Sequence, residues 1–198
     1  MALVLVKEDG TGRADANSYA DAANGDSYHD GHLYASAWTA ATADRKAAAL
    51  VMATRLIDSQ FHFNGSRTNE GQALQWPRAG CLDPDKGLVR LSALLPILSN
   101  CVDYDTVPAA VVQATCEMAR ELLIVDRTAA PAGEGIDSVQ TVHATHAATG
   151  TGSSSDTSAT KYSKPDTRPI ISHVARAMLG KYGALISSGG GVVRLVRA

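Results

Sequence analysis

Two groups of side chains have the types and spacings that bind metal ions, but each group is incomplete. Residues 83–87 read Asp-Pro-Asp-Lys-Gly and begin like a calcium-binding loop, in which carboxylate oxygens stand at alternate positions. Glycine occupies the place of the third oxygen ligand, and no glutamate closes the loop at its last position. We therefore do not expect calcium to bind to this segment.

The histidines include two pairs in which the members are three residues apart. His29 and His32 would share one face of a helix and could bind a metal ion there. His143 and His146 would point to opposite faces of a strand, so they cannot converge on one ion. Solvated histidines are the simpler interpretation of both pairs, and no metal site is predicted.

No motif of a common enzyme class is complete. Gly10-x-Gly12 lacks the third glycine of a dinucleotide-binding loop, and neither a phosphate-binding loop nor a nucleophile elbow occurs. The cysteines are Cys81, Cys101 and Cys116, an odd number without a Cys-x-x-Cys pair. This pattern fits reduced thiols in a cytoplasm and argues against a disulfide framework or a zinc site. We expect no enzyme, no cofactor and no catalytic residue.

The composition excludes further classes of protein. The chain has 198 residues and is rich in alanine, with 45% hydrophobic, 19% charged and only 5% aromatic residues. Its net charge is −2 and its basic residues are dispersed, so the sequence lacks the basic footprint of a nucleic-acid-binding face. No stretch reaches the roughly 18 apolar residues of a membrane helix, and Met1–Lys7 has the reverse order of a signal peptide. We expect a soluble protein that is not exported.

Hydrophobic periodicity and capping residues predict four helices. The first begins after Asn17 or Ser18 and ends near Gly31, and the second spans Thr42 to Gln60. Pro108 opens the third, whose two adjacent apolar rows predict a central position, with Gln113, Glu117, Arg120 and Glu121 left for another face. The fourth runs from Pro169 to a cap at Gly183, with these residues facing inward: Ile171, Val174, Met178 and Tyr182.

Two further segments extend from this helical part. Period-two alternation predicts a β-hairpin arm over about residues 135–165, with a flexible tip over residues 144–160, where small residues predominate. Residues 187–191 read Ser-Ser-Gly-Gly-Gly and form a hinge before a β-prone tail. Val192, Arg194 and Val196 lie on one face of that tail, and Val193, Leu195 and Arg197 on the other. The tail could add a strand to a neighbouring protein or fold back on its own core as an edge strand.

Several segments together resemble the head-to-tail adaptor (connector, or head-completion) proteins of tailed bacteriophages. These segments are Glu8–Gly12, Ala14–Tyr19, Ala53–Asp58, Gln72–Gly80 and Gly189–Ala198. The more specific parts are Trp76-Pro77-Arg78 and the tail. Proteins of this group often carry the description of single-stranded DNA-binding proteins similar to a primosome component.

The resemblance implies a mainly α fold, a small four-helix bundle with a β-hairpin arm and an extended C-terminal tail. It divides the chain into one adaptor domain, residues 1–186, and a docking tail, residues 187–198. Copies of the chain, usually twelve, would form a cyclic ring below the portal protein at the neck of the virion. The ring would extend the channel for double-stranded DNA, without sequence-specific binding, and present a platform to a stopper or tail-terminator protein.

Roles for particular residues follow from this implied assembly. Val192–Arg197 would dock on the portal as an added strand. The hairpin residues Val139, Val142 and Tyr162 would contact neighbouring subunits or the protein below. Trp76, Pro77 and Arg78 would anchor a loop onto the bundle, with a direct interface role as the alternative. Single-stranded DNA binding is the second hypothesis for the whole chain, and it requires a cationic groove with stacking aromatic rings.

Overall fold

The computed structural model describes residues 3–86, 100–129, 136–146, 153–162 and 169–186, and the two hairpin segments 136–146 and 153–162 only in their backbone. The chain divides into two compact units. The first combines residues 1–126 with residues 171–198, and the second consists of residues 127–170. The described residues contain no helix that is both long and apolar enough to span a lipid bilayer.

The first unit contains five helices among its described residues, rather than the four-helix bundle predicted. They are α1 (Ala22–Asp30), α2 (Ser36–Thr39), α3 (Ala43–Gln60), α4 (Ala109–Ile124) and α5 (His173–Leu179). Among the described residues, three two-stranded antiparallel sheets accompany the helices, so the fold is mixed and only partly helical. The predicted helix positions are therefore largely right, whereas a bundle of four helices is not observed.

Helix α4 is the centre of this unit, because α1, α2, α3 and α5 all pack against it. Val111, Met118 and Ala119 are completely buried, as the two apolar rows predict. The predicted polar face is not fully exposed, however, because the Glu117 side chain is only 2% exposed and lies beside Arg120. Helices on several sides of α4 leave little of its surface for solvent, so this carboxylate is buried as an ion pair.

The predicted ends of the helices differ in their accuracy. Helix α3 begins after Thr42 and ends at Gln60, both as predicted. Helix α1 begins later than predicted, because Asp21 is the residue that caps it, through the backbone N–H of Asn24. Residues Ser36–Thr39 form the short helix α2, which the sequence pattern did not predict.

Helix α5 is shorter than predicted, since Ser172 caps its start and Gly180 its end. Its buried row contains Ala175 and Leu179, whereas Val174 is 47% exposed. The predicted inward position of Val174 is therefore wrong. Gly183 lies in a strand instead of capping the helix, because the helix already ends at Gly180. Ile171 and Tyr182 are buried as predicted, but both lie outside the helix and do not mark its buried face.

The described residues of the first unit form two small sheets. Strands β1 (Phe61–Phe63) and β6 (Gly183–Leu185) pair antiparallel, with Phe61 opposite Leu185 and Phe63 opposite Gly183. Strands β2 (Ser66–Arg67) and β3 (Arg78–Ala79) also pair antiparallel. The first pair joins the end of α3 to the segment that follows α5, so residues from distant parts of the sequence close the unit.

The described residues of the second unit form one antiparallel hairpin. Strands β4 (Ile136–His146) and β5 (Ser153–Tyr162) pair from Ile136 opposite Tyr162 to His146 opposite Ser153, with an irregularity between Ile136 and Ser138. Residues 144–146 and 153–160 belong to this ladder, although the sequence predicts a flexible tip there. Their backbone hydrogen bonds extend the ladder despite side chains that are small and weakly β-prone.

Candidate functional site

The Trp-Pro-Arg segment lies inside the first unit. The Trp76 ring is fully buried and packs edge-on against Phe63 and Tyr182, with centroids 5.7 Å apart in each case. The peptide bond between Trp76 and Pro77 is cis. The ring therefore holds the loop onto the core and has no surface left for a partner.

Arg78 is the polar centre of the same loop, and its residue is only 6% exposed. Its Nε donates to the carbonyl oxygen of Asn64 at 2.8 Å, and Nη2 donates to those of Phe63 and Gly65 at 3.2 and 2.6 Å. Nη1 donates to the carbonyl and side-chain oxygens of Gln75 at 3.1 and 3.0 Å. One guanidinium thus joins the loop to the end of β1.

A Tyr–Asp pair, in which Tyr19 is fully buried and Asp58 partly buried, connects three of the segments on which the resemblance depends. The Tyr19 hydroxyl donates to Asp58 Oδ1 at 2.5 Å and accepts from the backbone N–H groups of Gln75 and Trp76. The other oxygen of Asp58 accepts from the Gln75 N–H at 3.0 Å. Burial raises the pKa of the Asp58 carboxyl to about 6, although the hydrogen bonds from Tyr19 and Gln75 lower it. Burial also raises the pKa of Tyr19, so its hydroxyl stays protonated and acts as the donor in this hydrogen bond.

The Asp58→Asn variant is expected to change how stability depends on pH. The pKa of Asp58 is about 6 in the folded state, against an ordinary value of 3.8 for this side chain, so the folded state binds more protons than the unfolded state between these values. The wild-type free energy of unfolding should therefore fall by roughly 2–3 kcal/mol between pH 4 and pH 7, relative to that of the variant. Urea unfolding at several pH values measures this difference.

Exposed carboxylates provide the control for the Asp58 experiment. Asp9 is exposed, and hydrogen bonds from Thr11 lower its pKa. The free energy of unfolding of wild type relative to Asp9→Asn should therefore not fall between pH 4 and pH 7, in contrast to that relative to Asp58→Asn. Parallel stability curves for wild type and Asp58→Asn over this pH range would contradict a raised pKa for the Asp58 carboxyl.

The glycine-rich loop near the start of the chain binds a carboxylate of its own. Glu8 is buried, and its side chain accepts from the backbone N–H groups of Gly10, Gly12 and Arg13 at 2.9–3.0 Å. Gly10 has φ = 99°, and a Cβ there would lie 1.9 Å from the carbonyl oxygen of Asp105. These amides could hold a phosphate in another protein, but Glu8 already occupies them.

The predicted histidine pair lies beside the buried ion pair of α4. Nε2 of His29 donates to the carbonyl oxygen of Cys116 at 3.2 Å, while its buried Nδ1 has no partner. Burial lowers the pKa of His29, so the ring is neutral near pH 7. His32 lies 3.6 Å from Glu117 instead of converging with His29 on a metal position. No three His, Cys, Asp or Glu side chains of the described residues are close enough together to hold a metal ion.

The segment that begins like a calcium loop is paired with lysines. Asp85 forms an ion pair with Lys181. The Lys86 ammonium lies 3.0 Å from Asp103 and donates to the carbonyl oxygen of Cys101 at 3.0 Å. Ammonium groups thus compensate the charges of Asp85 in the segment and of Asp103 beside it.

Most aromatic side chains of the first unit lie in its core. Six are buried, and only Tyr34 and Tyr104 are well exposed, at 75% and 65%. The buried six are Tyr19, Trp38, Phe61, Phe63, Trp76 and Tyr182. Arg45 and Arg55 are exposed on α3. The described side chains therefore present dispersed basic groups without a row of exposed rings.

The remaining sequence-predicted residues lie in the hairpin and the tail. Val139 pairs with Thr160 and Val142 with Thr157, while Tyr162 pairs with Ile136 at the base of the hairpin. Val139 and Val142 are three positions apart, so they lie on opposite faces of the ladder. The tail residues Val192–Arg197 lie outside the described residues.

Sequence reasoning found the Trp-Pro-Arg segment but missed the network around it. The roles of Glu8 and of the Tyr19–Asp58 pair were not predicted, although both residues stand in the segments that carry the resemblance. The available signal was a charged residue beside apolar ones, namely Asp58 after Leu56-Ile57 and Arg78 after Trp76-Pro77. A charged residue in such a position is often buried with its hydrogen-bond partners. Glu8, between Lys7 and Asp9, gave no such signal.

The comparisons with known proteins give one match. A family model described as "Putative DnaT-like ssDNA binding protein" matches residues 1–198, the whole chain. No curated protein and no solved structure matches the chain significantly.

Proposed function

This chain belongs to the family described as DnaT-like ssDNA-binding proteins, and we propose that within this family it is a structural assembly subunit, the ring-forming head-to-tail adaptor of a tailed bacteriophage. The family description itself supports single-stranded DNA binding more directly than it supports an adaptor. The proposal depends instead on the geometry of the described residues and on the resemblance of the Glu8–Gly12, Gln72–Gly80 and tail segments.

The separate hairpin unit is the observation that carries the adaptor proposal. Within residues 127–170, the described secondary structure consists of β4 and β5 alone. A two-stranded hairpin is marginally stable by itself in water and gains stability when another surface covers it. Neighbouring copies in a ring would supply such a surface along a strand pair of about ten residues per strand.

The buried state of the aromatic rings also favours an assembly role. Binding of single strands uses exposed rings on which successive bases stack, each worth about 1–3 kcal/mol. Trp38 and Trp76 are at most 1% exposed, so neither can stack on a base without unfolding. The well-packed rings instead make a rigid subunit, which suits a protein that functions through its shape.

Single-stranded DNA binding is the second candidate, and the family match over the full length of the chain favours it. Tyr34 and Tyr104 are the exposed rings of the described residues that could stack on bases. Arg45 and Arg55 are exposed cations that could contact phosphates. Such a surface would bind weakly and without sequence preference, in a manner that depends strongly on salt.

One set of measurements separates the two candidates. Light scattering gives the mass of the purified full-length chain alone and after mixing with portal rings, and an oligonucleotide titration gives its affinity for single strands at low and high salt. We expect a ring, either alone or on the portal, and weak oligonucleotide binding. A chain that stays monomeric with the portal but binds oligonucleotide tightly, with a steep loss in salt, would overturn the adaptor proposal and support the second candidate.

A further inference from the structure

The dipeptide Asn-Gly occurs twice in the chain, at residues 24–25 and 64–65. It is the most reactive asparagine context, because glycine has no side chain to hinder its backbone nitrogen from attacking the asparagine side chain. The attack forms a bond between this nitrogen and the asparagine Cγ, breaks the Cγ–Nδ2 bond and releases ammonia. One water molecule then opens the resulting succinimide ring and leaves aspartate or isoaspartate, so the reaction needs neither oxidant nor reductant.

Hydrogen bonds hold both reacting groups of the first dipeptide. The Asn24 side-chain oxygen accepts from the backbone N–H of Asp21 at 3.2 Å, as part of the capping box of α1. The Gly25 N–H donates to the carbonyl oxygen of Asp21 at 3.1 Å, and Gly25 is buried. The attack at Asn24 therefore requires the first turn of α1 to open.

The second dipeptide connects β1 to β2, and its reacting groups are not held in this way. Asn64 and Gly65 are both exposed. The backbone of Asn64 is bonded on both sides, to Tyr182 and Arg78, but no described residue bonds to its side chain or to the Gly65 N–H. The side-chain amide and the attacking nitrogen are therefore both open to water.

The fold also requires the glycine that makes this dipeptide reactive. Gly65 has φ = 75°, a conformation that other residues rarely adopt, and a Cβ there would lie 2.3 Å from the carbonyl oxygen of Ala79. We propose that Asn64 is a site of spontaneous deamidation in the folded protein, whereas the helix protects Asn24. This inference does not depend on the adaptor proposal.

The modification would reach the hydrogen bonds of Arg78. Nε of Arg78 donates to the carbonyl oxygen of Asn64 at 2.8 Å, and Nη2 donates to that of Gly65. In isoaspartate the main chain passes through Cβ and Cγ, which adds one atom between positions 64 and 65. Since the Asn64 N–H is fixed to the Tyr182 carbonyl oxygen at 2.9 Å, the longer chain displaces at least one acceptor of the guanidinium.

Peptide mass spectrometry of the full-length chain measures deamidation at both sites. Samples are kept at pH 8 and 37 °C, either folded or in guanidinium chloride, and are digested with trypsin after increasing times. Residues 56–67 then form the peptide with Asn64, and residues 14–45 the peptide with Asn24. In the folded chain we expect Asn64 to react about tenfold faster than Asn24, because only the Asn24 reaction needs a helix turn to open.

The denatured samples separate the effect of the fold from that of the sequence. Both asparagines precede glycine, so their rates in guanidinium chloride should become similar. A rate for Asn64 in the folded chain that is no greater than the rate for Asn24 would overturn the proposal. The same tenfold ratio in folded and denatured samples would overturn it as well, because neighbouring residues rather than the helix would then protect Asn24.

Asn64→Gln is the matched variant for the effect on Arg78. The exposed side chain of residue 64 has no bond to lose, and glutamine would need a six-membered ring, which forms far more slowly than succinimide. We expect aged wild type to show an additional urea transition at lower denaturant, in proportion to its isoaspartate content, and aged Asn64→Gln to unfold like a fresh sample. Aged wild type that is rich in isoaspartate but unfolds like a fresh sample would contradict the displacement at Arg78.

Discussion

Replacement of Arg78 by alanine is expected to lower the free energy of unfolding by about 4 kcal/mol, because it removes a buried charge that donates five hydrogen bonds. Four of the acceptors are backbone carbonyl oxygens at or near the end of β1 and in the Trp76 loop. Without the guanidinium, several of these oxygens would stay away from water and lack a donor. Urea unfolding of wild type and variant measures the change.

Two further variants make the Arg78 result specific. Arg78→Lys keeps the charge but not the planar arrangement of donors, so about half of the stability should remain lost. Arg67 lies directly opposite Arg78 in the β2–β3 pair and is exposed, and Arg67→Ala should cost less than about 0.5 kcal/mol. A loss for Arg78→Ala that is no greater than the loss for Arg67→Ala would show that the guanidinium does not hold the loop.

The helices with strong local signals could be predicted from the sequence. Thr42 caps α3 through the N–H of Arg45, and Pro108 precedes α4. A single residue therefore marks the start of each of these helices. The start of helix α5, in contrast, could not be predicted from a single residue. Pro169 gave an equally valid starting signal, but the helix begins at His173, four residues later, after the cap Ser172, whose hydroxyl accepts from the N–H of Ala175. Ile171 therefore lies outside the helix and does not mark its buried face.

The interior of the candidate site could not be predicted, because its contacts have no period along the sequence. Arg78 binds carbonyl oxygens 3–15 residues away, and Tyr19 reaches Asp58 across 39 residues. Polar groups that meet through tertiary packing give no alternation or helical repeat by which to recognise them. The residues of the Trp-Pro-Arg motif could be recognised in the sequence, but their hydrogen-bond partners could be identified only from the folded structure.

Glu117 illustrates the same limit within a helix. Its position beside Gln113, Arg120 and Glu121 predicts a solvated face, since a polar stripe on a helix usually faces water. The structure instead packs α1 and α2 against α4, and the carboxylate is buried with Arg120 and His32. Because the apolar pattern of α1 is weak, the sequence did not predict that α1 covers the Glu117 face of α4.

Replacement of Arg120 by methionine is expected to cost about 4 kcal/mol of unfolding free energy, because it leaves a buried carboxylate without its main partner. Nη2 of Arg120 lies 2.5 Å from Glu117 Oε1, and Nε lies 3.3 Å from Oε2. His32, at 3.6 Å from the carboxylate, is the weaker partner that remains. Arg45→Met on the exposed surface of α3 is the control and should cost less than about 0.5 kcal/mol.

The double variant Glu117→Leu with Arg120→Met should recover most of this loss, to within about 1 kcal/mol of wild type. An ion pair in this position gains attraction but loses hydration of both charges, so apolar side chains of similar volume stabilise the fold about as well. The buried part of α4 would then be apolar around its circumference, like the rows that contain Val111 and Met118. Additive losses in the double variant, measured by urea unfolding as a double-mutant cycle, would show that Glu117 and Arg120 do not stabilise one another and that the α1–α4 contact depends on each charge separately.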